Sequence, residues 1–320
     1  MAITNSILNY RRFLKRRNCS YHTVKNYMNT LKHFVLWIAV PIEKVTNKDI
    51  LAYIDFLLDK RLQPKTINCH LDSIRGFYDF LCNEEEASMP NPVKKGYALR
   101  LSRPLPKHLR EEEIETLLCG IKSVRDNAMF MLMLRCGLRV EEVAHLTFKA
   151  FDIKRRRIYI YNGKGSKDRV VYISDDSLEA LNNYLKVRAP KRAEKVFLVE
   201  KGPYKGKPIS VRGIQKRMEY YAKKAGLKVS CHQLRHTMAT QLLNADADLV
   251  TIQDLLGHTR IKTTQRYCKV SNLKVQRDYY KAMEKVMHRT SWNQLKSCRP
   301  VAAPTSCPRA HSRSDLQVPF

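Results

Sequence analysis

Residues 127–146 read NAMFMLMLRCGLRVEEVAHL. The first ten, Asn127 to Cys136, are almost wholly apolar, which is typical of a helix that is buried on all sides. Beyond them, Arg139 and Glu142 are three residues apart and so share one face of the next helix. Helical patterning begins at residue 111, so the stretch belongs to a domain that starts near that point.

Downstream of this stretch, two short runs are rich in β-branched and aromatic residues, Arg157 to Tyr161 and Arg169 to Ile173. They are separated by NGKGSKD, whose Asn-Gly pair is typical of a tight turn, so we predict a hairpin with Lys164 and Lys167 at its tip. Helical patterns occupy residues 175–188, 210–225, 232–244, 248–256 and 271–287. This domain is therefore predicted to be mainly helical with one small sheet.

Upstream, the first 90 or so residues are helical patterns with short breaks, and they predict a compact four-helix domain. Ser20 can cap one helix, a second follows Thr46, and Pro64 suits the first turn of another. A plain helical bundle and a DNA-gripping domain fit this pattern equally well. The sequence divides into a helical domain at 1–88, a proline-rich linker at 89–107, a second domain at 108–287 and a basic tail at 288–320 that we expect to be disordered.

The charge of the chain indicates a polyanionic partner. Lys and Arg number 59 against 30 Asp and Glu, a formal net charge of +29, and nucleic acid is the leading candidate. The nine cysteines include no C-x-x-C pair and are interpreted as reduced structural thiols. Because no long apolar run occurs, we expect a soluble protein of the cytoplasm, associated with the nucleoid, with no membrane contact.

Four short segments of the second domain carry residues suited to one reaction. They are CGLRVEEVAHL (136–146), NGKGSKDR (162–169), HQLRHTMAT (232–240) and LLGHTRIKTTQRY (255–267). Breaking a phosphodiester by phosphoryl transfer needs a nucleophile in line with the leaving oxygen and cationic donors around the non-bridging oxygens. A tyrosine oxygen can hold the phosphate covalently, and because that bond conserves the energy of the cleaved link, the strand can be rejoined without ATP.

In order and spacing, these segments resemble the tyrosine recombinase (phage integrase) family, over about residues 5–285. The resemblance implies a mainly α fold: a helical N-terminal core-binding domain of the SAM-like type, then a mixed α/β, mostly helical catalytic domain with a small antiparallel sheet. It implies a site-specific recombinase that works through a 3′-phosphotyrosine intermediate. The catalytic residues implied by the resemblance are Arg139, Lys164, His232, Arg235, His258 and Tyr267.

Each of these residues has a chemical reason to be present. Arg139 and Arg235 are the natural clamp on the phosphate, since a guanidinium fork offers paired hydrogen bonds that lysine cannot reproduce. Glu142 is the expected partner that orients Arg139. The resemblance makes Tyr267 the nucleophile and places Lys164, ahead of Lys167, as the general acid that protonates the departing 5′ oxygen.

Three histidines complete the set. By resemblance, His232 assists proton removal from the tyrosine and His258 donates a hydrogen bond to the phosphate. His236 is expected to pack against or support its neighbours. A metal site from Cys231, His232, His236 and Cys268 is the alternative, but no compact zinc spacing is present. We therefore predict no metal and no cofactor.

The resemblance also implies partners. These are double-stranded DNA recombination sites and three further copies of the chain, a homotetramer on two sites, possibly with a related recombinase. A helix opening at Ser271 either packs on its own domain or docks on a neighbouring subunit. The task of integration, excision or resolution is left open. So are two rival functions, a non-catalytic DNA-binding factor of the same fold and a relaxing enzyme like a type IB topoisomerase.

Overall fold

The computed structural model describes residues 3–84, 89–102, 107–161, 168–188, 193–257, 264–265, 277 and 279–284. Lys164, His258, Tyr267, Cys268 and the predicted tail lie outside these residues, as does most of the predicted helix at 271–287. The chain divides into two compact units, Met1–Pro104 and Leu105–Phe320.

The described residues of the first unit form four α-helices: α1 (Ile3–Arg16), α2 (Tyr21–Trp37), α3 (Asn47–Asp59) and α4 (Pro64–Glu84). Polar side chains set where these helices begin. The hydroxyl of Ser20 accepts from the backbone N–H of Thr23 at 3.2 Å, and the carboxylate of Asp49 accepts from the N–H of Thr46 at 2.7 Å. Pro64 is the first residue of α4, where its missing N–H costs nothing.

An apolar stripe from each helix fills the core of this unit. Leu31, Ile50, Tyr53, Ile67 and Tyr78 are wholly or almost wholly buried there. The segment that follows α4 lies along that helix: the side chain of Asn68 exchanges two hydrogen bonds with the backbone of Leu99, at 2.8 and 2.9 Å. Leu99, within the proline-rich stretch, is therefore held by the helical unit that precedes it.

The second unit is packed around a buried helix, α6 (Val124–Arg135). Its helices are α5 (Glu111–Cys119), α6 (Val124–Arg135), α7 (Val140–His145), α8 (Asp175–Val187), α9 (Val211–Lys224), α10 (Cys231–Asn244) and α11 (Leu249–Leu256). In α6, residues 128–134 are all buried, as the apolar run predicts. None of the helices in the described part of the chain has the length and hydropathy that crossing a membrane requires.

A three-stranded antiparallel sheet, in the order β1, β2, β3, completes this unit. Its strands are β1 (Phe151–Asp152), β2 (Arg157–Ile160) and β3 (Arg169–Tyr172). The register of β2 and β3 pairs Ile160 with Arg169, so the predicted antiparallel pairing of the two runs is confirmed. The predicted tip with Lys164 and Lys167 lies outside the described residues. Strand β1 is an addition that the sequence pattern did not reveal. The predicted fold class, mainly helical with a small antiparallel sheet, is confirmed.

Candidate active site

Two arginines that are distant in sequence meet at the carboxyl end of α11. Arg139 directly precedes α7, and its Nη2 donates to the carbonyl of Leu256 at 3.2 Å. Arg235 lies in the second turn of α10 and is 1% exposed; its Nη2 donates to the same carbonyl and its Nη1 to the carbonyl of Gly137. The end of a helix carries partial negative charge on its unpaired carbonyls, which favours cations there. The two predicted clamp residues are therefore brought together at one point.

Glu142 holds Arg139 from the other side. One carboxylate oxygen accepts from the backbone N–H of Arg139 at 2.7 Å, and the other accepts from its Nη1 at 2.8 Å. The first bond closes the first turn of α7 and the second fixes the guanidinium. The spacing of three residues that the sequence shows thus produces both contacts.

A third arginine in the same cluster was missed by the sequence reasoning. Arg169, the first residue of β3, donates from Nη1 and Nη2 to the two oxygens of Glu142, each at 2.7 Å. Its Nε donates to the carbonyl of Leu255 at 2.9 Å. The sequence signal for Arg169 was its place at the end of the NGKGSKDR segment. The distance in sequence between Glu142 and Arg169 gives no reason to pair the two residues.

This arrangement keeps Glu142 ionised. Burial by itself raises the pKa of a carboxylate, but the hydrogen bonds and charge of Arg169, together with the N–H and charge of Arg139, lower the pKa of Glu142 to about 2. At neutral pH the cluster therefore contains three guanidinium groups and one carboxylate among the described residues. An anion such as a phosphate diester is suited to the remaining positive charge.

Two glycines allow the backbone to reach this geometry. Gly137 has φ +66°, and a Cβ there would stand 3.1 Å from the sulfur of Met238 and 3.3 Å from Leu256. Gly257 ends α11 with φ +57°, and a Cβ there would stand 2.9 Å from the Cδ of Arg169. Both positions therefore need a residue without a side chain.

The predicted histidines of α10 lie one helical turn apart. His232 is exposed and His236 half-buried, and their rings meet edge to face with centroids 4.2 Å apart. Cys231 is buried, and burial raises the pKa of its thiol to about 11. Within the described residues, no group of three or more His, Cys, Asp or Glu is arranged to hold a metal ion.

The other three predicted catalytic residues lie outside the described residues, but a described residue lies within five positions of each of them in the chain. Arg169 follows Lys164 by five residues, and Gly257 directly precedes His258. Tyr267 follows the buried Thr264 by three residues. The roles of all these residues stay predictions.

Comparison with known proteins gives two family matches. Residues 107–274 match the phage integrase family, and residues 7–87 match the phage integrase N-terminal SAM-like domain. Together the two matches cover most of both compact units.

Individual relatives extend over most of the chain. The tyrosine recombinase XerC of Staphylococcus epidermidis is 32% identical, covering 83% of this chain and 92% of that protein. The tyrosine recombinase XerA of Thermococcus kodakarensis is 30% identical, covering 90% and 99%. A solved structure of a lambda integrase tetramer bound to a Holliday junction shares the fold, with a TM-score of 0.69 and 17% identity over 83% of this chain and 76% of that one.

Proposed function

The chain belongs to the phage integrase family and is a tyrosine recombinase, and we propose that it cuts and rejoins double-stranded DNA at specific sites through a covalent bond between Tyr267 and a 3′ phosphate. The observation that carries this proposal is the shared acceptor of Arg139 and Arg235. Two guanidinium groups that donate to one carbonyl oxygen, that of Leu256, can face one phosphate together. A protein that only bound DNA would have no need to bury Arg235 in such a place.

The proposed reaction transfers a phosphoryl group from one ester oxygen to another, and the two ester bonds are of similar energy. The phenolic oxygen of Tyr267 attacks phosphorus, the bond from phosphorus to the 5′ oxygen breaks, and a bond from phosphorus to tyrosine forms. His232 assists removal of the tyrosine proton, and Lys164 gives a proton to the departing 5′ oxygen. Rejoining is the same step in reverse with the 5′ hydroxyl of another strand, so neither water nor ATP is consumed.

The positive site stabilises the transition state. Charge builds up on the non-bridging oxygens as the tyrosine enters and the 5′ oxygen leaves. Arg139, held by Glu142, and Arg235, held by two carbonyls, supply donors that are fixed before the reaction begins. His258 is proposed to add a further hydrogen bond to the same phosphate.

The proposed partners are duplex recombination sites and three further copies of the chain on two such sites, possibly with a related recombinase. The net charge of +29 supports binding to DNA. The lambda integrase structure, a tetramer bound to a Holliday junction, supports the assembly.

The test is to trap the covalent intermediate. Duplexes that the protein binds are selected from a random library, and a half-site with a nick just beyond the scissile phosphate is made from them. On this substrate we expect a denaturant-resistant protein–DNA adduct, because the short cleaved fragment diffuses away and rejoining fails. Tyr267→Phe should form none, whereas Tyr204→Phe, an exposed tyrosine of the same unit, should match the unaltered protein.

The same assay separates the rival functions. A DNA-binding factor without catalysis would retain the half-site and form no adduct. A relaxing enzyme would relax supercoiled plasmids that lack the selected site. Either result would overturn the proposal.

A further inference from the structure

Every side-chain nitrogen of Arg169 is engaged with the protein itself. Its Nη1 and Nη2 bind Glu142 and its Nε binds the carbonyl of Leu255, so each of its three nitrogens already has an acceptor. Its side chain is 7% exposed and that of Glu142 is 9% exposed. A paired contact between a guanidinium and a carboxylate at such depth fixes both groups in one plane.

Each oxygen of Glu142 is shared between two arginines. Oε1 accepts from the Nη1 of Arg139 and the Nη1 of Arg169, at 2.8 and 2.7 Å. Oε2 accepts from the backbone N–H of Arg139 and the Nη2 of Arg169, both at 2.7 Å. Among the described residues, Glu142 would without Arg169 keep bonds to Arg139 alone, three residues earlier in the chain, and no described element other than this segment would set the angle of its carboxylate.

Arg169 also connects the Arg139–Glu142 pair to the carboxyl end of α11. Leu255, which accepts from Arg169, is next to Leu256, which accepts from Arg139 and Arg235. The guanidinium of Arg169 therefore links three elements, β3, α7 and α11, at the point where the two clamp arginines meet.

From these contacts we propose that Arg169 is a positioning residue for the reaction, acting through Glu142 to aim the guanidinium of Arg139 at the scissile phosphate. The proposal rests on the function proposed above. It assigns Arg169 no contact with DNA. Its removal should therefore slow phosphoryl transfer while leaving DNA affinity nearly unchanged.

The experiment compares Arg169→Gln and Arg169→Lys with Arg156→Gln in the full chain. Arg156 belongs to the same sheet region, and its ion pair with Asp175 is exposed, so this control removes the same charge without touching the cluster. The adduct rate is measured in single turnover at saturating protein, and the dissociation constant is measured separately on the uncleaved duplex. We expect the rate of Arg169→Gln to fall roughly ten- to a hundredfold, as for other residues that orient a reacting group. Arg169→Lys should stay slow, since an ammonium cannot make the paired contact.

A second substrate separates positioning from general damage to the fold. In a methylphosphonate linkage at the scissile position, one non-bridging oxygen is replaced by a methyl group and the phosphate charge is lost. A misplaced Arg139 matters less on such a neutral linkage, so we expect the defect of Arg169→Gln relative to the unaltered protein to shrink to a few-fold. Arg139→Ala should show the same recovery.

Three results would overturn the inference. One is an adduct rate for Arg169→Gln equal to that of Arg156→Gln. Another is a defect of equal size on both linkages, which would indicate a purely structural role, and the third is a loss of DNA affinity that accounts for the slower rate. If Arg169→Gln does not fold, Arg169→Lys keeps the charge and provides the same comparison. Absence of adduct with the unaltered protein would count against the proposed function and not against the role of Arg169.

Discussion

Arg139 contacts the ends of two helices, the start of α7 and the carboxyl end of α11. Its backbone N–H bonds to Glu142 and so helps to begin α7, while its guanidinium reaches the end of α11. The pairing of Arg139 with Glu142 could be predicted, because residues three apart share a helix face. The pairing of Glu142 with Arg169 could not, because it joins residues 27 apart in sequence through the packing of a strand against a helix.

The charge of Glu142 should stabilise the fold. We expect Glu142→Gln to lower the free energy of unfolding at pH 7 by about 3 kcal/mol, because a buried cation then loses its counter-charge. The pKa of Glu142 is lowered from 4.5 to about 2, so the stabilisation is present above about pH 4.5 and is lost as the pH falls towards 2. Urea unfolding at pH 7 and pH 3 checks this, with Glu219→Gln, from an exposed ion pair, as control. A difference from the unaltered protein that stays constant with pH would contradict it.

The buried thiols should be unreactive. Burial raises the pKa of Cys136 to about 12 and that of Cys231 to about 11, whereas Cys69 and Cys119 are exposed. A thiolate is the nucleophile in alkylation, so iodoacetamide at pH 8 should label the exposed pair well before the buried pair. Peptide mass spectrometry of the native protein measures the rates. Labelling of Cys231 as fast as that of Cys69 would show that α10 is not packed as described.

At the scale of elements, the sequence predicted helix bounds well where a polar capping residue directly precedes a helical apolar period. The pattern at 175–188 corresponds to α8 at Asp175–Val187, and that at 248–256 to α11 at Leu249–Leu256, each preceded by a polar residue, Ser174 or Asp248. Strand β1 was not predicted, since its two residues are too few to show a period and pair only with β2. The meeting of β3 with α11 depends on tertiary packing and has no sequence period.

The end of α11 offers a direct test of that meeting. We expect Gly257→Ala to destabilise the protein by about 1 to 2 kcal/mol, because alanine at φ +57° is strained. Its Cβ would also stand 2.9 Å from the Cδ of Arg169, so the cluster must shift and the adduct rate should fall. The matched control is Gly202→Ala, at φ +83° with open space around it. We expect this change to cause similar backbone strain and no loss of the adduct rate. Equal effects of both changes on the adduct rate would refute the account of this position.

At the scale of the whole molecule, two units with separate apolar cores carry an excess of positive charge. The proline-rich stretch and the change of pattern predicted a helical first domain and a mixed second one. The charge bears on the partner and not on the fold.

Binding to duplex DNA should therefore depend steeply on salt. If six or more phosphates are contacted, the affinity of the full chain should fall about a thousandfold or more between 50 and 200 mM salt. Fluorescence anisotropy of a labelled duplex measures it. An affinity that changes less than threefold over this range would argue against a binding mode based on the phosphate backbone.

The most direct test of the central claim is to identify the amino acid that becomes joined to DNA. The adduct formed on the nicked half-site is digested with protease and nuclease, and the peptide carrying a nucleotide remnant is sequenced by mass spectrometry. We predict the remnant on Tyr267, linked through a 3′ phosphate, and adduct formation slowed by Arg139→Ala and by Arg235→Ala. A remnant on any other residue, or adduct formation that both arginine variants sustain at the unaltered rate, would contradict the account.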